Sequence, residues 1–261
     1  MRVNLIYFSA TDRTAKVVKE IGSAISDELF ENDITLEENR NEGLVFTEKD
    51  LVIVGVPVYA GRVPKFLVEY FNKVKGNNTL VIFVVTYGNR AYEDALLELK
   101  NTFEENGFIG VGATAFVGEH SYTELLGSGR PNKEDLEIAK KFGYRVKIKI
   151  DSIKDISEIG NLNVPGNYPY VVKVSKMKPM APETNYNCID CGICANACPT
   201  NAISKQNSRL VDKERCIKCC RCIRNCPVSA KEMTNSEYIE MRDFLINNWS
   251  NIYNSPEIYI Y

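Results

Sequence analysis

The first 187 residues contain no cysteine, although the chain has nine. It has a single histidine and a single tryptophan. Its longest apolar stretches, Leu51–Ala60 and Leu80–Thr86, are far shorter than a membrane span. Charge of one sign is also missing: 32 basic and 34 acidic residues leave a net charge of −2, with no case for bulk attraction to nucleic acid or membrane. No GKS or GKT is present, which excludes a Walker loop. No GxGxxG follows the first apolar run, and no catalytic triad is legible, so direct oxidation of a nicotinamide is not expected. The opening Met1–Phe8 is too short and too strand-like for a signal peptide. The expected compartment is therefore the reducing cytoplasm, where cysteines point to metal or catalysis rather than to disulfides.

What is present divides the chain. All nine cysteines fall between Cys188 and Cys226, leaving a cysteine-free body and a cysteine-dense module. The 261 residues, 44% hydrophobic and 25% charged, suit one large and one small domain. In the body, short apolar runs alternate with helical spacing. Val3–Phe8, Ile34–Leu36, Leu51–Val56, Leu80–Thr86 and Ile109–Val117 read as strands. Thr14–Leu29, Phe66–Val74, Ala91–Phe103 and Asp135–Ile150 read as helices, with Pro64 suited to the start of the second. Strands apolar on both faces predict a parallel sheet covered on both sides, a doubly wound α/β fold of five strands in the order 2-1-3-4-5. Ligands of such sheets bind beyond the carboxyl ends of the strands. Those ends carry Ser9–Thr14, Pro57–Val63, Tyr87–Tyr92 and Gly118–Tyr122.

The expected domains are residues 1–150, a linker over 151–182, a cysteine module over 183–235, and a helix and tail over 236–261. The linker is punctuated by Gly160, Pro165, Gly166, Pro169, Pro179 and Pro182, and Tyr168–Val172 can bury surface against the body. Ser236 is a candidate cap for the last helix, which would carry Tyr238, Met241, Phe244, Leu245 and Trp249 on one side. The ending Ile258-Tyr259-Ile260-Tyr261 is too apolar to be loose.

The cysteines form an internal repeat. Cys188-x2-Cys191-x2-Cys194-x3-Cys198-Pro199 recurs 28 residues on as Cys216-x2-Cys219-x2-Cys222-x3-Cys226-Pro227. This doubled run resembles the two-cluster bacterial ferredoxin domain, in which the fourth cysteine of each run serves the other cluster. That resemblance assigns Cys188, Cys191, Cys194 and Cys226 to one 4Fe–4S cluster, and Cys198, Cys216, Cys219 and Cys222 to a second. The competing assignment is a pair of zinc sites, but zinc motifs use paired C-x2-C without the threefold run. Cys220 is left over, either as a redox-active thiol or alternative ligand, or as a small buried residue.

The loop Phe8-Ser9-Ala10-Thr11-Asp12-Arg13-Thr14 contains no glycine or lysine. It offers three hydroxyls, Ser9, Thr11 and Thr14, with backbone amides at a helix start, which suits a small phosphomonoester. The alternative is a plain capped helix start. Ser-x-Thr-x-x-Thr after a first strand resembles the FMN phosphate loop of the flavodoxin family, with Asp12 and Arg13 where members usually have glycine and asparagine. Asp12 tolerates a left-handed backbone, but its carboxylate should repel a phosphate unless it points outward or pairs with Arg13.

Two further loops carry the same resemblance. Pro57, Val58, Tyr59, Ala60 and Gly61 are similar to the loop that packs one side of the flavin ring, with Tyr59 as the ring contact. Thr86, Tyr87, Gly88, Asn89 and Tyr92 are similar to the second flavin loop, with Tyr92 in the place of the stacking tyrosine and Gly88 and Asn89 supplying backbone donors to the pyrimidine edge. Either tyrosine taken alone could equally be core. His120 could adjoin the flavin and move protons, or could be a surface hydrogen-bonder.

The whole chain resembles the flavodoxin–ferredoxin fusion proteins. That resemblance implies FMN, two 4Fe–4S clusters and electron transfer with redox partner proteins. Competing functions are an FMN-dependent oxidoreductase that reduces a small acceptor, and a cluster-bearing interaction subunit with no flavin. Net charge is −3 over residues 1–150 and +3 over 183–235, which favours docking of the module on the body. Lys213, Arg215, Lys218, Arg221 and Arg224 cluster around the second motif, either to raise a cluster's potential or as a solvated basic face.

Overall fold

The computed structural model describes residues 1–171 and 178–261. Val172, part of the expected packing segment, lies outside the described residues. The strands of the body are β1 (Arg2–Tyr7), β2 (Leu29–Asp33), β3 (Asp50–Pro57), β4 (Thr79–Tyr87) and β5 (Phe108–Val117). Between them run α1 (Arg13–Ser23), α2 (Lys65–Phe71) and α3 (Ala95–Glu104), and α4 (Lys133–Asp151) follows. The strands pair in parallel in the order β2-β1-β3-β4-β5, the doubly wound order expected.

Alternation along β3 explains the two layers. Leu51 and Ile53 face a core with Val17, Val18 and Ile21 of α1 and Phe142 and Val146 of α4. Val52, Val54 and Val56 face the opposite core, with Leu67 and Phe71 of α2 and Leu96, Leu99 and Phe103 of α3. Because both sides are covered, β4 is buried along its whole length. The Gly110–Ala115 stretch that mimics a dinucleotide fingerprint lies within β5.

The boundaries depart most from the expectation in three places. The second strand is Leu29–Asp33, not Ile34–Leu36. It is an edge strand with Phe30 exposed, so it lacks an apolar signature, and its last bond is the Ile34 amide to the Tyr7 carbonyl. Accordingly α1 stops at Ser23, short of Leu29. The third helix starts at Ala95, because the chain before it turns through Glu93 at φ 46°.

The tail adds a strand that the pattern left unassigned. β8 (Glu257–Ile260) pairs antiparallel with β5 and makes the sheet six-stranded. Before it, α7 (Ser236–Trp249) begins with Asn235 in the cap position, so Ser236 is its first residue rather than its cap. Tyr238 and Leu245 of α7 are buried, whereas Met241 and Phe244 are exposed.

The segment after α4 lies on the body. Leu162 is buried in the α2–α3 core. Asp94 accepts the Asn167 and Val171 amides at 2.9 and 2.7 Å, and Asn101 donates to the Tyr170 hydroxyl at 3.0 Å. Tyr168, expected to bury surface, is exposed; Leu162 and Val164 do that packing instead. The cysteine module is small: the β6 (Glu183–Thr184) and β7 (Lys231–Glu232) ladder, and the one-turn helices α5 (Ile193–Asn196) and α6 (Arg221–Arg224). No helix among the described residues is long and apolar enough to cross a membrane.

Candidate functional site: two cysteine sets and the carboxyl edge of the sheet

The module folds its two cysteine runs around two separate spaces. Cys188, Cys191, Cys194 and Cys226 line one, with Lys231 and Pro227. Cys198, Cys216, Cys219 and Cys222 line the other, together with Cys220. Each set thus takes three cysteines from one run and the last from the other. Ala195 and Ile203 form a small core between the sets, touched by Cys194, Cys198 and Cys222. Among the described residues, no three His, Cys, Asp or Glu side chains converge to hold a single metal ion. Each set of four cysteines lines its own space.

Backbone amides point at the sulfurs. Ala202 donates to Cys198 Sγ at 3.2 Å, Ala230 to Cys226 Sγ at 3.1 Å, and Asp190 to Cys188 Sγ at 3.4 Å. Such bonds stabilise sulfur that carries negative charge. The two sets differ in exposure. Cys191 is exposed, with Ile189 and Ile193 exposed beside it, whereas Cys219 is buried and packs into the core of the body. Cys220 is buried too, with its sulfur 3.5 Å from the Tyr238 hydroxyl.

The second set abuts the carboxyl edge of the sheet. Ile217 packs on the α2–α3 core beside Val58 and Tyr59. Tyr59 is partly buried. Its phenol is pushed far above its ordinary value, by burial first and then by Cys219, Cys220 and Tyr122. Tyr122, from the loop after β5, packs against Tyr238 of α7 with ring centres 4.5 Å apart and the rings tilted by 44°. Ala60 and Gly61 turn with positive φ.

In the loop before α1, Asp12 adopts the left-handed conformation at φ 61°. Its carboxylate points to solvent and stands 3.9 Å from Arg221; Arg13 pairs instead with Glu119 at 2.7 Å. The Ala15 amide donates to Ser9 Oγ at 3.0 Å, and the Thr14 and Thr86 hydroxyls share a hydrogen bond at 2.6 Å. The amides of Ala10, Thr11, Asp12, Arg13 and Thr14 donate to no other group among the described residues. They form a row of free donors at a helix start.

The second loop is occupied differently. The Tyr92 ring is buried against Tyr87, and its hydroxyl is bonded to Glu257 and Tyr259 near β8, at 2.7 and 3.0 Å. The Asn89 side chain donates to the Trp249 and Ile252 carbonyls, and the Asn254 side chain donates to the Asn89 carbonyl. The end of α7 and the turn after it therefore cover this loop. Gly88 is required by close approach: a Cβ there would stand 2.1 Å from His120 Cδ2.

His120 is partly buried and packs on Tyr122 at 5.0 Å. Burial first, then Arg224 and Arg90, lowers its pKa from 6.5 to about 4. It is therefore neutral at physiological pH. Between pH 6.5 and 4 the unfolded chain takes up a proton that the folded chain refuses. Stability that His120 contributes above that window is lost as pH falls through it. Since this is the only imidazole, NMR of the oxidised protein should show one histidine with a midpoint near 4; a midpoint near 6.5 would contradict the buried placement.

Sequence reasoning gave the arginines of the second motif no part in joining the two halves. Arg221 Nη1 donates to the Ser9 and Ala10 carbonyls at 3.0 and 2.9 Å. Arg224 donates to Glu119 and to the His120 carbonyl, each at 2.8 Å. Arg215 pairs with Glu37 at 2.7 Å. From the body, Arg40 donates to the Pro199 carbonyl at 2.6 Å. These side chains bind the module to the loops of the body, while Lys213 and Arg215 stay exposed. Their only sequence signal is the opposite charge of the two segments.

Residues 187–230 match the family model of the 4Fe–4S dicluster domain. No curated protein matches the chain significantly. Among solved structures the body is similar to a flavodoxin from the domain Archaea, at 14% identity and a TM-score of 0.41, over 58% of this chain and 99% of that one. It is likewise similar to the Streptococcus pneumonia TIGR4 flavodoxin, at 15% identity and a TM-score of 0.41, over 57% and 99% of the two chains. A third is the Fusobacterium nucleatum flavodoxin bound to flavin mononucleotide, at 17% identity and a TM-score of 0.37, over 57% and 96%. With the sheet order established by the strand pairing, the chain joins a doubly wound α/β body to a segment, residues 187–230, that matches the 4Fe–4S dicluster domain.

Proposed function

We propose that the chain is an electron carrier that holds FMN at the carboxyl edge of its sheet and two 4Fe–4S clusters in its module, and passes electrons between them and to protein partners. The observation that carries this reading is the seating of the second cysteine set against the loops of the body, with Cys219 and Ile217 packed into the same core as Tyr59. Bound there, FMN would exchange one or two electrons, and each cluster one.

The residues suit these groups. Five free amides and the Thr11 hydroxyl offer donors to a phosphate. Tyr59, Tyr122 and His120 offer a neutral, partly buried lining to a flavin ring. The Tyr92 hydroxyl is committed to the tail, so the ring-side role expected of that tyrosine passes to Tyr122 and His120. Eight cysteines in two sets offer one thiolate cage per cluster. Reduction of a small acceptor would need an open face at these loops. The module and the segment around Trp249–Asn254 cover them, which favours the carrier reading.

Anaerobic purification followed by cofactor analysis tests the proposal. The expected result is one FMN and about eight irons per chain. FAD in place of FMN, or no flavin with full iron, would contradict it.

A further inference from the structure

Three arginines meet at the loop before α1, and two of them belong to the module. Arg13 is the first residue of α1, directly after that loop, while Arg221 and Arg224 flank Cys222 in α6. Arg221 grips the Ser9 and Ala10 carbonyls through Nη1. Arg13 and Arg224 share Glu119 Oε1, at 2.7 and 2.8 Å. Four buried side-chain nitrogen or oxygen atoms lack a partner among the described residues, and three of them are the Nε atoms of Arg13, Arg221 and Arg224. A buried donor on a cation is costly to leave unpaired.

The charge is unbalanced as well. Glu119 is the one buried carboxylate among the three guanidiniums, its side chain 9% exposed. Burial works to raise its pKa, yet the Gly129 amide, Arg13 and Arg224 hold it below the usual carboxylate range, so it is already fully used. Asp12 and Glu124 stand 3.9 Å from Arg221 and Arg224, but their side chains are 73% and 81% exposed. Three guanidiniums, their side chains 21–24% exposed and their Nε atoms buried without a partner, thus outnumber the one buried carboxylate near a loop whose amides are free.

We propose that Arg221 and Arg224 bind the FMN phosphate together with Arg13 and the loop amides, so that the phosphate site is built from both halves of the chain. This rests on the FMN reading above. It has a thermodynamic consequence: whatever the phosphate gains from the docked module, docking gains from the phosphate. Riboflavin, which lacks the phosphate, should gain nothing from these arginines.

Full-length protein with its clusters intact, freed of flavin and titrated anaerobically with FMN and with riboflavin, tests this. Flavin fluorescence reports binding, and iron content reports the module. The wild-type chain should prefer FMN. Arg221→Gln and Arg224→Gln should each weaken FMN binding about tenfold or more and leave riboflavin binding and iron unchanged. Should either variant lose iron, Arg13→Gln, on the body, should show the same selective loss. FMN binding unchanged in the variants, or FMN and riboflavin weakened equally, would overturn the inference. A wild-type chain that binds neither flavin would overturn the FMN reading itself, a result distinct from binding that the variants leave intact.

Discussion

Cys198→Ala is expected to disable the cluster of the other motif. Cys198 follows Cys194 by four residues, yet it lines the space of Cys216, Cys219 and Cys222. The set nearest in sequence takes Cys226 instead. The Cys198 sulfur accepts the Ala202 amide at 3.2 Å. Removing it leaves three thiolates around the second space, so about four irons should be lost or one EPR signal of the reduced protein altered. Because the second set abuts the body, flavin reduction through the module should fail as well. The Cys226→Ala variant should spare that step at the body while disturbing the outer set. Loss of the first set's signal in Cys198→Ala, with the second intact, would refute the crossed arrangement. Cys220→Ala should keep all the iron, since Cys220 is satisfied by Tyr238 and each set already has four cysteines.

Asp135→Ala should be the most damaging single change in the body. The Arg130 and Asp135 side chains are 6% and 1% exposed and form a two-pronged ion pair, with Nε to Oδ2 at 2.8 Å and Nη2 to Oδ1. Asp135 also accepts the Asn132 amide and completes a capping box at the start of α4. The same guanidinium donates to the Asn254 carbonyl at 2.6 Å and lies over the Tyr253 ring at 4.8 Å. It therefore pins the turn that leads into β8. Removing the carboxylate strands a buried cation, at a cost of about 3–5 kcal/mol. Native-state hydrogen exchange should show protection in α4 and β8 falling by roughly two to four orders of magnitude. A fall of less than tenfold would mean that the pair contributes little. Arg130→Met combined with Asp135→Leu should recover much of the protection, because the unpaired charge is then gone.

The central sheet was legible because β3 and β4 are continuous apolar runs, and continuity means burial on both faces. The two cysteine runs were legible because a doubled spacing repeats without interruption, whereas the crossed pairing came only with the resemblance to the two-cluster ferredoxin domain. Edges were harder. β2 is half exposed and carries Glu31, Asn32 and Asp33, so its register comes from pairing with β1 and not from its own pattern. β8 announced itself as apolar, but nothing local says that it pairs with β5, some 140 residues away. Tyr92 shows how a motif position can mislead: its fate is decided by Glu257 and Tyr259, which only the fold brings near. Arg221 and Arg224 were visible as basic residues around a motif, but their partners are carbonyls and a carboxylate of distant loops.

The most direct test of the account is rapid mixing of the intact chain with a low-potential electron donor, following the iron–sulfur and flavin absorbances together. If the clusters feed the flavin inside one chain, flavin reduction follows cluster reduction at a rate independent of protein concentration. A flavin rate that rises with protein concentration, or that is unchanged in Cys198→Ala, would mean that electrons pass between chains or bypass the module, and would contradict the relay.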